Sequence, residues 1–280
     1  MADRQLELLV ARALEEDLGS GDHTSLACID SDISGSARLI VKERGILAGL
    51  RSAHEVFRQT DARLKMDCLL ADGSGIEAGD IAFILSGPRR SILRAERVAL
   101  NLLQRMSGIA TTTSKYVEAV KGYDVKILDT RKTTPGMRFL EKEAVRLGGG
   151  ENHRMGLWDM IMIKDNHIDF AGGIVEAIGR THDYLRRKGL DLKIEIEARS
   201  IEDVEKIVLT GGVDRIMFDN FTPSVTAIAV KIVNRQFETE SSGGITMDNI
   251  REYAACGVGY ISVGALTHHI KSLDMSLKAT

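Results

Sequence analysis

Residues 160–167 read Met160-Ile161-Met162-Ile163-Lys164-Asp165-Asn166-His167, four apolar side chains followed at once by four polar ones. The same change recurs through the second half of the chain. Val125-Lys126-Ile127-Leu128 leads into Asp129-Thr130-Arg131-Lys132, Lys193-Ile194-Glu195-Ile196 into Glu197, and Arg215-Ile216-Met217-Phe218 into Asp219-Asn220. Ser241-Ser242-Gly243-Gly244 and, after Gly259-Tyr260-Ile261-Ser262-Val263, Gly264 occupy the corresponding places near the end. Apolar runs this short read as strands, and helix candidates at 173–188, 201–210 and 223–236 lie between them. Strand–helix alternation implies a parallel sheet with right-handed crossovers. Closed into a barrel, it brings the C-terminal strand ends to one mouth, where such folds carry their active sites. A wet loop explains one polar strand end; it does not explain a series of them directly behind buried-looking hydrophobes.

Towards the N-terminus the pattern differs. Leu6, Leu9, Val10, Ala13 and Leu14 recur at helical spacing and stop at the turn Leu18-Gly19-Ser20-Gly21-Asp22. Residues 36–50 read as strands broken by Gly45, with further β pieces at 64–70 and 76–85 and a turn at Gly87-Pro88. Residues 91–120 read as one or two long helices with Ala95, Val98, Leu102 and Leu103 on the apolar face. The fold class is therefore α/β. A small α+β domain over 1–112 precedes an α/β-barrel catalytic domain over 113–280, whose last residues are free to pack back on the first domain.

The bulk numbers set limits. The chain has 280 residues, 44% hydrophobic and 28% charged, enough for one barrel and a small extra domain. With 37 basic and 40 acidic residues the formal net charge is −3, which gives no general reason to bind nucleic acid or a membrane surface. An anion site must be a local concentration of Arg and Lys. No apolar run approaches the ~20 residues that span a bilayer. Acidic residues at Asp3, Glu7, Glu15, Glu16 and Asp17 leave no apolar export core. Cys28, Cys68 and Cys256 are widely spaced, as expected of unpaired buried thiols in a reducing compartment. The expected location is the cytoplasm.

Two chemical groups stand out. Arg97, Arg131, Lys132, His153, Arg154 and Lys164 are cationic; each alone reads as a solvated charge, but together at one mouth they would bind a polyanion, Arg through its planar fork. Glu197 and Asp219 are carboxylates at neighbouring strand ends. They suit Mg²⁺, which takes one or two protein oxygens and shares substrate oxygens, or ribose hydroxyls. Glu195 shares the face of Glu197 by strand alternation and reads equally as a supporting partner or as a rim charge paired with a Lys. Ser242-Gly243-Gly244 and Gly264 offer backbone N–H groups after the last strands, where barrels commonly cradle phosphate. Gly148-Gly149-Gly150 reads as a second loop of that kind.

These residues resemble one family. Glu96-Arg97-Val98-Ala99-Leu100-Asn101, Asp129-Thr130-Arg131-Lys132-Thr133-Thr134-Pro135-Gly136, Gly148-Gly149-Gly150-Glu151-Asn152-His153-Arg154 and Ile163-Lys164-Asp165-Asn166-His167 are similar to the motifs of the quinolinate phosphoribosyltransferases. Asp219-Asn220-Phe221, Ser242-Gly243-Gly244-Ile245 and Ser262-Val263-Gly264-Ala265-Leu266-Thr267-His268 continue the likeness to the C-terminus. The resemblance implies an N-terminal open-faced α+β sandwich domain followed by an irregular, TIM-like α/β barrel of fewer than eight strands. It implies a decarboxylating phosphoribosyl transfer in NAD biosynthesis: quinolinate and phosphoribosyl pyrophosphate give nicotinate mononucleotide, CO₂ and pyrophosphate. It also implies a homodimer with shared active sites, in which Arg97 reaches the neighbour's site. Arg131, His153, Arg154 and Lys164 would then bind the quinolinate carboxylates, and Lys132 and Lys164 would face the pyrophosphate. Glu197 and Asp219 would hold ribose and Mg²⁺, and Ser242, Gly243 and Gly264 the 5′-phosphate. Lys132, Lys164, Glu197 and Asp219 are the expected catalytic residues.

Three alternatives use the same barrel. A paralogous family associated with molybdenum transport shares the fold, but the intact Arg131-Lys132, Asn152-His153-Arg154 and Lys164 set speaks against it. A Schiff-base aldolase using Lys164 needs a desolvated amine, where this chain supplies a crowd of cations. A non-catalytic binding barrel leaves the acid pair Glu197 and Asp219 without a use.

Overall fold

The protein is described here by a computed structural model covering residues 2–31 and 33–280. It forms two compact units, Met1–Ser114 with Thr134–Gly149 and His269–Thr280, and Lys115–Thr133 with Gly150–His268.

The first unit begins with α1 (Ala2–Leu18) and α2 (His23–Cys28). Leu6, Val10 and Leu14 of α1 are buried at the four-residue spacing that puts them on one face. Strands β1 (Ser34–Val41) and β2 (Gly45–Ile46) follow, then α3 (Leu50–Thr60), β3 (Lys65–Cys68), β4 (Gly75–Ile76) and β5 (Ile81–Pro88). Helix α4 (Arg89–Ala119) is a single 31-residue helix. Its apolar face, with Ala95, Val98, Leu102 and Leu103, is buried.

Along β1 the buried Ala37, Leu39 and Val41 alternate with Arg38 and Ile40, the period-two signature of a sheet with one packed face. Phe57 of α3 meets Phe83 of β5 edge to face, ring centroids 5.7 Å apart, so helix covers sheet. Cys28 and Cys68 are exposed and Cys256 is half-buried, so the thiols are unpaired but not buried as expected. Cys28 ends a short helix, and Cys68 lies on β3 at the edge of the sheet.

Two later segments belong to this unit, so its limits differ from a single division after residue 112. Helix α5 (Arg138–Leu147) is tied to α4 by Arg105, whose Nε donates to the fully buried Glu141 at 3.0 Å. Gly148 follows at a close approach: a Cβ there would sit 2.3 Å from the Ala110 carbonyl oxygen. That explains its glycine by packing rather than by a phosphate loop. The last strand, β12 (Met275–Ala279), pairs antiparallel with β1, giving the sheet order β12-β1-β5-β3.

The second unit holds the alternating half. Its strands are β6 (Lys126–Leu128), β7 (Ile161–Ile163), β8 (Ile194–Ala198), β9 (Arg215–Asp219), β10 (Glu238–Ser242) and β11 (Tyr260–Ser262). Its helices are α6 (Asp165–Ala171), α7 (Ile174–Lys188), α8 (Ile201–Thr210), α9 (Pro223–Val233), α10 (Ile250–Ala255) and α11 (Ala265–His268). All five strand pairings are parallel, in the order β6-β11-β10-β9-β8-β7. That is the sequence order turned by one place, as in a barrel whose successive strands lie side by side. The six strands make it smaller than the eight-stranded form. Helix starts are fixed locally: Ser200 accepts from the Asp203 N–H, and Thr222 from the Val225 N–H with Pro223 just inside α9.

Candidate active site

The strand alternation sorts side chains by face. On β8, Ile194, Ile196 and Ala198 point one way and Glu195 and Glu197 the other. The register aligns Ile163 with Ile196 and Ser242 with Asp219. Lys164 and Glu197 therefore stand next to one another at the ends of adjacent strands, and the Lys164 Nζ donates to Glu197 Oε1. The Glu197 side chain is only 7% exposed, while that of Lys164 is 45% exposed and open to a ligand.

Asp219 closes β9. The Asn220 side-chain amide donates to its Oδ2 at 3.0 Å, and the Asn220 backbone N–H donates to the Ser242 carbonyl at 2.8 Å. Asn220 itself takes a left-handed φ of 57°, a conformation Asn tolerates better than most residues. Gly243 lies against it with φ +94°, where an added Cβ would be 2.1 Å from Asn220 Oδ1. Only glycine meets both demands. Gly264 follows β11, and a Cβ there would lie 3.1 Å from Lys132 Cδ. Lys132 is anchored from the same side, its carbonyl accepting from Thr267 Oγ1 at 2.8 Å.

Arg131 and Arg154 are also neighbours. Burial first, and then the charge of Arg131, lower the pKa of Arg154, while Glu195, Asp159 and Glu197 oppose the shift. Arg131, Lys132, Lys164, Glu197, Asp219, Ser242, Gly243 and Gly264 thus lie at strand ends of the second unit or in the segments that follow them, and Arg154 follows Glu151, which bridges in parallel to Leu128 at the end of β6. Arg97 is exposed on α4 and belongs to the first unit.

His153 stands apart from an open site. It is buried, its Nε2 lies 2.9 Å from Glu195 Oε2 and 3.5 Å from Glu240 Oε2, and its Nδ1 accepts the Arg154 backbone N–H at 2.7 Å. Burial disfavours the imidazolium, but the two carboxylates outweigh it and raise His153 to about 9. Burial and the charge of Glu240 raise Glu195, whereas for Glu240 burial is outweighed only jointly, by the bond and charge of His153, the charge of Arg215 and the bond from Ser262, which hold it down. The pair therefore holds one proton beyond the imidazole's own. With the Arg154 N–H facing Nδ1, the ring keeps its own proton on Nε2, and the extra proton sits on the Glu195 carboxyl, which burial and Glu240 raise. Glu195 is fully buried, so it is a supporting partner and not a rim charge. Glu240 and Arg215, which complete the cluster, were not singled out in the sequence. Their signal is the alternation Glu238-Thr239-Glu240-Ser241-Ser242, a strand with no large apolar residue.

Among the described residues no helix is long and apolar enough to cross a membrane. The carboxylates of Glu197 and Asp219 are hard oxygen donors beside a lysine, a set that fits Mg²⁺ shared with a phosphorylated substrate.

Comparison with known proteins agrees with this geometry. Residues 22–107 match the quinolinate phosphoribosyl transferase N-terminal domain and residues 109–278 its C-terminal domain. The chain is 43% identical to a chloroplastic nicotinate-nucleotide pyrophosphorylase [carboxylating] of Arabidopsis thaliana, over 98% of this chain and 82% of the relative. It is 42% identical to a probable nicotinate-nucleotide pyrophosphorylase [carboxylating] of Bacillus subtilis, over 99% of this chain and 94% of the relative. The crystal structure of NadC from Streptococcus pyogenes superposes with a TM-score of 0.95 at 39% identity, covering 100% of this chain and 98% of that one.

Proposed function

The chain belongs to the quinolinate phosphoribosyl transferase family, and from that premise we propose how its residues divide the reaction among them. Its function is the phosphoribosyl transfer to quinolinate that forms nicotinate mononucleotide in NAD biosynthesis. The observation that carries the assignment of roles is the basic set Arg131, Lys132, Arg154 and Lys164 beside the acidic pair Glu197 and Asp219, on a chain whose net charge is −3.

Quinolinate is a dianion, and Arg131 and Arg154 supply planar forks for its carboxylates. His153 belongs to the same clamp, acting from behind through the backbone of Arg154. Lys132 and Lys164 face the pyrophosphate, and Ser242, Gly243 and Gly264 receive the 5′-phosphate through backbone N–H groups. Glu197 and Asp219 would hold the ribose hydroxyls and Mg²⁺. The metal, when bound, neutralises charge on the departing pyrophosphate. The pyridine nitrogen forms a bond to the anomeric carbon as the bond from that carbon to pyrophosphate breaks, and the pair leaves with pyrophosphate. The positive ring nitrogen then stabilises the electron pair left on C2 when its carboxylate departs as CO₂, and C2 takes a proton. The protein's part is to position and desolvate the two anions.

Arg97 is assigned to the neighbouring subunit's site in a homodimer, because it is exposed on the unit that does not carry the strand ends. The assigned compartment is the cytoplasm. The test of the reaction is an assay of the purified protein with quinolinate, phosphoribosyl pyrophosphate and Mg²⁺, following nicotinate mononucleotide and CO₂ together. Formation of both, lost without Mg²⁺, supports the reading; binding of phosphoribosyl pyrophosphate with neither product overturns the acceptor.

A further inference from the structure

Behind the strand-end residues lies a second layer of charge that the reaction itself does not use. Glu195 and Glu240 are fully buried, and His153 and Arg215 nearly so. Arg215 Nη1 donates to Glu240 Oε2 at 2.9 Å, and its Nε and Nη2 donate to Glu238 Oε2 at 3.1 and 2.9 Å. The guanidinium also stacks over the Tyr260 ring, 3.8 Å from its centroid. Four strands, β8, β9, β10 and β11, thus contribute to one buried arrangement around the imidazole of His153. Buried ion pairs are a poor way to stabilise a fold, since their desolvation cost offsets the attraction and apolar residues would fill the space at least as well. A positional demand accounts for them better.

That demand is visible at His153. Asp129, fully buried at the end of β6, accepts the His153 backbone N–H at 2.9 Å and the Asn152 side-chain amide at 2.6 Å. The ring is held from the other side by Glu195 and Glu240, and its Nδ1 accepts the Arg154 N–H. An imidazole that accepts at Nδ1 must carry its proton at Nε2, and the carboxylates at Nε2 select that tautomer. We infer that Glu195, Glu240 and Arg215 are positioning residues that lock His153 with its proton on Nε2, and through Nδ1 fix the backbone of Arg154 in the substrate-carboxylate clamp. Arg215 holds Glu240 in place, and Glu240 with Glu195 holds the ring. This inference rests on the reading of Arg154 as a quinolinate contact.

The test uses the full chain. In Glu195→Gln and in Glu240→Gln the KM for quinolinate should rise about 10- to 100-fold, the size of effect a small misplacement produces, with the KM for phosphoribosyl pyrophosphate held within about twofold of wild type. Equal changes in both KM values, or none, overturn the inference. Arg154→Ala is the control for its premise: an unchanged quinolinate KM there removes the clamp and the inference with it, whereas a raised KM in Arg154→Ala with unchanged KM values in the two Gln variants removes the inference alone. A second measurement does not depend on the variants folding. In ¹⁵N-histidine spectra of the wild-type protein, the resonance missing from His153→Asn should show a pyridine-like Nδ1 and a protonated Nε2. A protonated Nδ1 overturns the proposed lock.

Discussion

The ammonium group of Lys164 bonds directly to the carboxylate of Glu197 across the ends of two neighbouring parallel strands. The pair brings opposite charges together at a mouth that is otherwise strongly basic. Glu197 keeps Lys164 in place while leaving it nearly half exposed, so a phosphate oxygen can approach the same Nζ without the lysine having to be ordered on binding.

Lys164→Ala should lower kcat by about 10²–10³-fold, the usual loss when one preorganised group facing developing charge is removed. The melting temperature should stay close to that of wild type, because the lysine head is solvated. A kcat within a factor of a few of wild type in steady-state assays would take Lys164 away from the leaving pyrophosphate.

Arg131→Ala should abolish turnover and leave the fold intact. Its side chain is exposed after β6, and its charge presses on Arg154 enough to lower that residue's pKa. The two guanidinium groups are therefore close enough to share one anion. The variant should lose quinolinate binding in calorimetry. Undiminished quinolinate affinity would remove Arg131 from the clamp.

Gly243→Ala should damage the loop proposed to receive the 5′-phosphate. The new methyl group meets the Asn220 side chain and forces a non-glycine residue to φ +94°, a strain on the order of 1–3 kcal/mol. The affected neighbour, Asn220, bonds both Asp219 and the Ser242 carbonyl, next to the loop proposed to receive the 5′-phosphate. The KM for phosphoribosyl pyrophosphate should therefore rise at least about tenfold, equivalent to 1.4 kcal/mol of that strain. An unaltered KM would show that the loop can relax without loss.

Much of this was legible in the sequence. Strand ends such as Ile163-Lys164 and Phe218-Asp219 announce themselves because a buried strand is apolar and its end is not. The helices 174–188 and 201–210 follow from their period and their caps. Strand β10 escaped, since Glu238-Thr239-Glu240-Ser241-Ser242 offers no apolar run; its glutamate is buried only because Arg215 and His153, distant in sequence, arrive to meet it. The place of β12 beside β1 joins residues more than 230 positions apart, Val41 to Met275, and no local pattern encodes such a pairing. For the same reason His153 read as an open ligand, when its ring is turned inward.

Acid stability should depend on Asp61. Bonds from the Arg63 side chain, then from Ser91 and the Arg63 backbone, hold its carboxyl far below its ordinary 3.8. A depressed carboxylate contributes stability above its unfolded pKa and loses it as the pH falls through the folded value. Its main partner, Arg63, is 71% exposed, so solvent screening reduces the effect to roughly 1 kcal/mol. Asp61→Asn should be less stable than wild type by about that amount near neutrality. The difference, read from urea midpoints, should shrink as the pH drops below 3.8. A gap that stays constant from neutral to acid would mean that Asp61 acts through its shape and not its charge.

Arg97 provides the test of shared sites. A chain with Arg97→Ala keeps intact strand ends, and a chain with Lys164→Ala keeps an intact Arg97. If each site draws Arg97 from the partner subunit, both homodimers are inactive. In a mixed dimer, one site pairs the normal strand ends with the normal Arg97, and the other carries both defects. Random reassembly of equal amounts makes half the dimers mixed, so activity should return to about a quarter of wild type. If Arg97 served its own chain's site, every site in every dimer would carry one defect, and mixing would restore nothing. The readout is nicotinate mononucleotide formation after the two inactive proteins are co-refolded, with chain exchange verified by a mass tag. No recovery in verified mixed dimers would return Arg97 to its own subunit.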